Sequence, residues 1–257
     1  PRPLKNDVKI YQLTPDYFEI ANIPAEYGTA NWYGGYQGVF DDVTTANNGC
    51  TIISSIDILL FLSYFNNSIH NLDNELCKLD CIDGQYYFEY ESYKEYAEKF
   101  VSRYGKSITA NSLASNINEY SEENGLNIKA FFVDNSGKSK LLLTEQKIEN
   151  QIRNNIPVPI IRAGRTRIDM YNVDGGKYMF KNITSDIPLP IGFYKDNYWK
   201  GAEKGGHCFN ATGIVYDDVQ NKTLLIVSNW GSKAVIDFDD LKNSSFIFFF
   251  FSINLLL

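Results

Sequence analysis

The chain has 257 residues, of which 44% are hydrophobic, 21% charged and 15% aromatic, with a formal net charge of −7. This composition belongs to a globular protein long enough to bury a sizeable core without covalent staples, as one large domain or two small ones, and it excludes intrinsic disorder. The acidic balance argues against nucleic acid as a partner, and four cysteines in so long a chain do not make a disulfide framework.

Residues 1 to 30 carry short alternating runs such as Val8-Lys9-Ile10-Tyr11, with prolines at 1, 3, 15 and 24, and read as an extended segment lying over the fold. Asn31-Trp32-Tyr33-Gly34-Gly35-Tyr36-Gln37-Gly38-Val39-Phe40 follows as a glycine-rich aromatic loop that can hold the polar Gln37 in a fixed place. Asn48-Gly49 then signals a turn, and Ile52, Ile53, Ile56, Leu59 and Leu60 recur at helical spacing behind Cys50. Ile58, Phe61 and Leu62 cover the remaining faces, and a helix that is apolar all round belongs in the middle of a domain. The stretch from Asn66 to Gln85 is polar and reads as irregular.

Three helices are predicted next, over 92–104, 110–123 and 144–155, with strands over 127–133 and 157–161. From Arg162 to Gly206 the chain is rich in Gly, Pro and charge without periodicity, as pocket-forming loops are. Consecutive strands are predicted over 208–216, 223–228, 233–238 and 246–251. Helices first and an antiparallel sheet afterwards make an α+β protein, and no internal repeat or linker divides it, so a single domain over 1–257 is expected. The apolar tail from Phe246 to Leu257 has 12 residues, too few to span a bilayer as a helix, and reads as a terminal core strand with a stray end. Any signal peptide is absent or already removed, which leaves cytoplasmic and secreted locations both open.

The chemistry centres on Cys50. A thiol on the first turn of a helix meets unpaired N–H groups and the positive end of the dipole, so a depressed pKa and a nucleophile near neutral pH are expected. Only two histidines exist. His70 lies beyond the Cys50 helix, roughly 20 Å or more from the thiol at 1.5 Å per residue, and is expected to be solvated. His207 opens a strand immediately after Gly205-Gly206, where it can face a cleft. A later apolar strand ends in Ser228-Asn229-Trp230-Gly231, which offers two side chains able to orient the imidazole and an indole to shield that bond from water. Asn229 is the better acceptor for an imidazole N–H, with Ser228 as the alternative. The backbone N–H of Cys50 and the Gln37 amide are candidate oxyanion donors, with Asn47 or Asn48 in reserve. Cys77 and Cys81 are spaced as half of a zinc site, but no second pair matches them, so neither metal nor cofactor is expected.

The order Gln37, then Gly49-Cys50 opening a helix, then Gly-Gly-His207 opening a strand, then Ser228-Asn229-Trp230-Gly231, resembles the papain-like cysteine peptidase superfamily. The Tyr33-Gly34-Gly35-Tyr36-Gln37 loop, the Gly-Cys helix and Ile156-Pro157-Val158 look closest to an uncharacterised papain-like group from clostridia and related low-GC bacteria. The likeness runs in order over roughly residues 20 to 240. It implies a mainly helical lobe over 47–155, a mainly sheet lobe over 156–251, and a peptide or protein substrate lying between them. The implied reaction is peptide-bond hydrolysis through a thioester, with Cys50 attacking, His207 moving the proton, Asn229 (or Ser228) orienting it, and Gln37 at the oxyanion. An acyltransferase or transglutaminase-like enzyme using the same Cys-His pair, and a non-catalytic peptide-binding module, are the alternatives.

Overall fold

A computed structural model describes residues 8–25, 28–66, 77–105, 110–126, 128–134, 141–162, 170–172, 192–193, 207–218, 221–242 and 246–253. In chain order these give β1 (Val8–Gln12), β2 (Glu19–Ala25), β3 (Gly28–Tyr33), a 3-10 turn (Gln37–Val39), α1 (Val43–Asn48) and α2 (Cys50–Phe65). Then come β4 (Leu79–Ile82), β5 (Gln85–Glu89), α3 (Tyr90–Tyr104), α4 (Ala110–Glu123), β6 (Ile128–Asp134), α5 (Leu141–Arg153) and β7 (Val158–Arg162). The chain closes with β8 (Met170–Asn172), β9 (Gly192–Phe193), β10 (His207–Asp217), β11 (Lys222–Asn229), β12 (Ser232–Asp237), α6 (Phe238–Lys242) and β13 (Phe246–Ile253). Helices and sheets are both present, an α+β protein. His70 and most of the stretch from 162 to 206 lie outside the described residues.

Among the described residues, nine strands make one sheet in the order β6-β13-β7-β10-β11-β12-β8-β9, with β1 added on β10. The helical and sheet segments therefore interleave more than the sequence order suggests, because β1 and β6, which come before the last long helix α5, join the large sheet. β10 makes this possible by its length: one edge pairs with β7 over His207–Ala211 and, further along, with β1 over Gly213–Asp217. Thr212 sits at the break in register between those halves, where β10 also slips against β11. Its hydroxyl meets Tyr33 Oη at 3.1 Å, so the irregularity is filled by a hydrogen bond from the smaller sheet.

That smaller sheet runs β3-β2-β5-β4. The described part of residues 1–30, expected as an extended segment lying over the fold, thus supplies strands to both sheets, and β3 runs on into the expected glycine-rich loop as far as Tyr33. β4 and β5 replace an expected irregular stretch, joined by Asp83-Gly84, whose φ values of 52° and 82° are those of a tight hairpin turn.

α2 is the core of the molecule. Every residue from Thr51 to Ser63 is buried, as a helix apolar on all faces requires, and it packs on β10, β7, α3 and α4. Its Ile, Leu and Phe side chains each contribute about 1.5–3 kcal/mol by leaving water. Two of its buried hydroxyls turn back on the helix itself: Ser55 donates to the Thr51 carbonyl (2.9 Å) and Ser63 to the Leu59 carbonyl (2.6 Å).

Candidate active site

Cys50 is the first residue of α2, and the bond from Ile53 N–H to the Gly49 carbonyl (2.9 Å) opens the helix. Gly49 allows α1 to end and α2 to begin within one residue, since a Cβ there would lie 2.6 Å from the Thr45 carbonyl oxygen. Asn47 and Asn48 therefore close a short helix instead of forming a loop. Asn48 donates back to the Thr44 carbonyl (2.9 Å) and both asparagines are exposed.

The backbone N–H groups of Cys208, Thr51 and Cys50 itself lie against the thiol and favour the thiolate, but burial is the larger effect and pushes the thiol above its ordinary value. The expectation of a depressed pKa is corrected on that ground: removing hydration from a sulfur anion outweighs three amide dipoles at a helix start. The Cys208 amide also fixes topology. It is the peptide link following His207, so the mouth of β10 runs past the sulfur of Cys50.

On β10 and β11 the side chains separate by face. Asn210 is the register partner of Ser228, so positions 209 and 229 oppose each other and His207 lies diagonal to Asn229 on the same face. His207 Nε2 and Asn229 Oδ1 are 2.7 Å apart, and because an amide oxygen only accepts, Nε2 carries the proton. His207 is only 3% exposed, and the Trp230 ring lies 4.3 Å from it, centroid to centroid. Ser228 faces the other way and donates to the Tyr33 carbonyl (2.9 Å). No bulge separates the two residues, since Ser228 and Asn229 both stay in register with β12. The irregular backbone begins one residue later, at Trp230 (φ 48°) and Gly231 (φ 71°).

Gln37 arrives from the glycine-rich loop. Its Oε1 accepts from the Trp230 indole N–H at 3.2 Å, which directs its amide nitrogen elsewhere, and Gln37 lines one cavity with Cys50, Gly35, Phe209 and Trp230. Among the described residues that cavity holds about 10 Å³, room for about one water molecule. Cys77 is buried, with its thiol pushed up to about 12 by desolvation, and Cys81 is exposed on β4. Among the described residues no group of three or more His, Cys, Asp or Glu side chains could hold a metal ion.

One residue that the sequence reading does not single out stands beneath this cavity. Asp57 is seven positions after Cys50, hence on the same face of α2 two turns further down, and is 1% exposed. It accepts from Gly35 N–H (2.8 Å) and from the Tyr93 hydroxyl (2.7 Å). The signal was a lone carboxylate inside a helix apolar on every face, which has to be buried with partners. Around it Ser54 bonds to Asn210, and Asn210 donates to the Tyr17 hydroxyl (3.2 Å). Comparison of the sequence with protein-family models and with curated proteins finds no match to either.

Proposed function

We propose that the protein is a papain-like cysteine hydrolase that cleaves peptide bonds through a thioester acyl-enzyme. The observation that supports this reading best is the 2.7 Å contact of His207 Nε2 with Asn229 Oδ1, where the amide following His207, that of Cys208, bonds to the sulfur of Cys50. Asn229 holds the imidazole in one tautomer and one orientation, so proton exchange with Cys50 falls to Nδ1. Because burial keeps Cys50 a thiol at rest, His207 acts as a general base that takes the proton as sulfur attacks the carbonyl carbon. The carbonyl's electron pair moves onto oxygen, where the Cys50 N–H and the Gln37 amide nitrogen can donate to it. Collapse expels the amine, which takes the proton from His207, and water repeats the sequence to free the acid and restore the thiol. The Trp230 indole, tilted against the His207 ring and bonded to Gln37, holds both catalytic arms in one piece.

Burial of the thiol favours a second reading, a peptide-binding module without turnover. One experiment separates the two. The protein, Cys50→Ala and His207→Ala are incubated with a diverse peptide mixture, and new termini are read by mass spectrometry. New termini with the native chain and none with either variant are expected; native protein that produces none favours the binding module. A primary amine added to the mixture and incorporated at the cut site points to acyl transfer. Iodoacetamide should label Cys50 slowly at pH 6 and progressively faster above pH 7, since the thiolate is not the resting form. Fast labelling unchanged between pH 5 and 7 would mean a preformed ion pair.

A further inference from the structure

We propose that Asp57 is a positioning residue of this site: its carboxylate holds Gly35 and thereby fixes how the Gln37 amide meets Cys50, so that loss of its proton tightens the oxyanion pocket. This role rests on the hydrolase reading above. The loop from Gly34 to Gln37 is pinned at four points. Gly34 N–H bonds to the Phe18 carbonyl (3.0 Å), the Gly35 carbonyl accepts from Gly231 N–H (3.1 Å), Gln37 accepts from Trp230, and Gly35 N–H bonds to Asp57. Only the last of these pins can change its charge. It is also the only one that leads to α2, the helix that carries the nucleophile.

The fit at this point leaves little slack. A Cβ on Gly35 would lie 2.8 Å from both Asp57 Oδ1 and Ile53 Cγ2 and would also strike the Tyr93 hydroxyl. A carboxylate accepts such bonds about twice as strongly as its neutral acid, which must moreover donate its own proton to one of the hydroxyls around it. The groups that face Asp57 are Tyr17 from the segment before β2, Tyr93 from α3 and the Gly35 amide from the loop; Tyr33 and Cys77 act on those two tyrosines in turn. Burial raises all three tyrosines well above 10, and Cys77 is pushed up to about 12, so none is charged near neutrality. Burial lifts Asp57 itself to about 7, against the three hydrogen bonds it accepts.

The test compares two reagents on Cys50 of the full chain. Iodoacetamide alkylates the sulfur by displacement and forms no oxyanion, whereas p-nitrophenyl acetate acylates it through a tetrahedral oxyanion and releases p-nitrophenolate. The ratio of ester rate to iodoacetamide rate therefore reads the oxyanion pocket apart from the thiol. In the native protein this ratio should fall as pH drops through about 7. Asp57→Asn should lower it about tenfold at pH 8 and flatten its pH profile, with alkylation within about threefold of native. Tyr93→Phe, which removes one donor and leaves the loop, should move the midpoint upward. Loss of both rates together in Asp57→Asn, or a native-like ratio and profile in the variants, overturns the role of Asp57 and leaves the hydrolase reading standing. A native Cys50 that the ester does not acylate overturns both.

Discussion

Asn229 reaches His207 while Ser228, one position earlier, is turned toward the Tyr33 carbonyl, and strand alternation alone divides these tasks. Asn229→Ala should therefore slow ester acylation of Cys50 by about 10 to 100-fold, because the imidazole loses its alignment while the nucleophile survives. Ser228→Ala should leave acylation nearly unchanged and instead cost about 1 kcal/mol of stability, the usual worth of one such hydrogen bond, measured by urea unfolding. The reverse ranking would reassign the orienter. Both candidates were legible in the sequence, since an apolar strand ending in hydrogen-bonding side chains is a local pattern. The choice between them was not, because it depends on the register of β11 against two neighbours. The thiol of Cys50 shows the same limit more sharply: its place at a helix start is a sequence fact, but the burial that raises its pKa comes from β10, more than half the chain away.

At the scale of elements, α2 is both the core of the protein and the rod on which its chemistry is mounted. A carboxylate in such a helix works against stability. The acid near pKa 7 when folded stands about three units above its value in an unfolded chain, so the folded state binds the proton more tightly. The resulting penalty is absent below about pH 4, grows through the interval, and is complete above about pH 7. Asp57→Asn removes it and should raise Tm relative to the native chain at pH 8, with a smaller gain at pH 5; an equal shift at both would show that the carboxylate does not titrate in the folded state. The helices were readable because their apolar periods are long: 110–123 emerges as expected, and Cys50 starts its helix as expected. The β4–β5 hairpin was missed although Asp83-Gly84 announces it, because the strands around it are short and largely exposed or half-exposed, without a clean apolar alternation. The segment before residue 30 misled for another reason, since its partners Asp217 to Gly213 and Tyr87 to Glu89 are distant in sequence.

For the whole molecule the decisive arrangement is the order of strands in the large sheet. β13, the last strand described, lies inside it, paired with β6 on one side and β7 on the other. A chain ending at Lys242 would open two unpaired edges there, each able to recruit another chain. Such a truncation should accumulate as insoluble or oligomeric protein, measured by sedimentation and light scattering, and a soluble monomer with native Tm would contradict it. The same arrangement governs how the molecule comes into being. During synthesis β1 emerges first, yet its partner on β10 is made only when the ribosome has reached residues 213–217, and the gap between β6 and β7 stays open until residue 253. Folding of the large sheet must therefore follow, and cannot accompany, translation of its first strands. With so many distant pairings it belongs to the slow regime of milliseconds to seconds or longer, an interval in which bare strand edges leave a nascent chain open to aggregation.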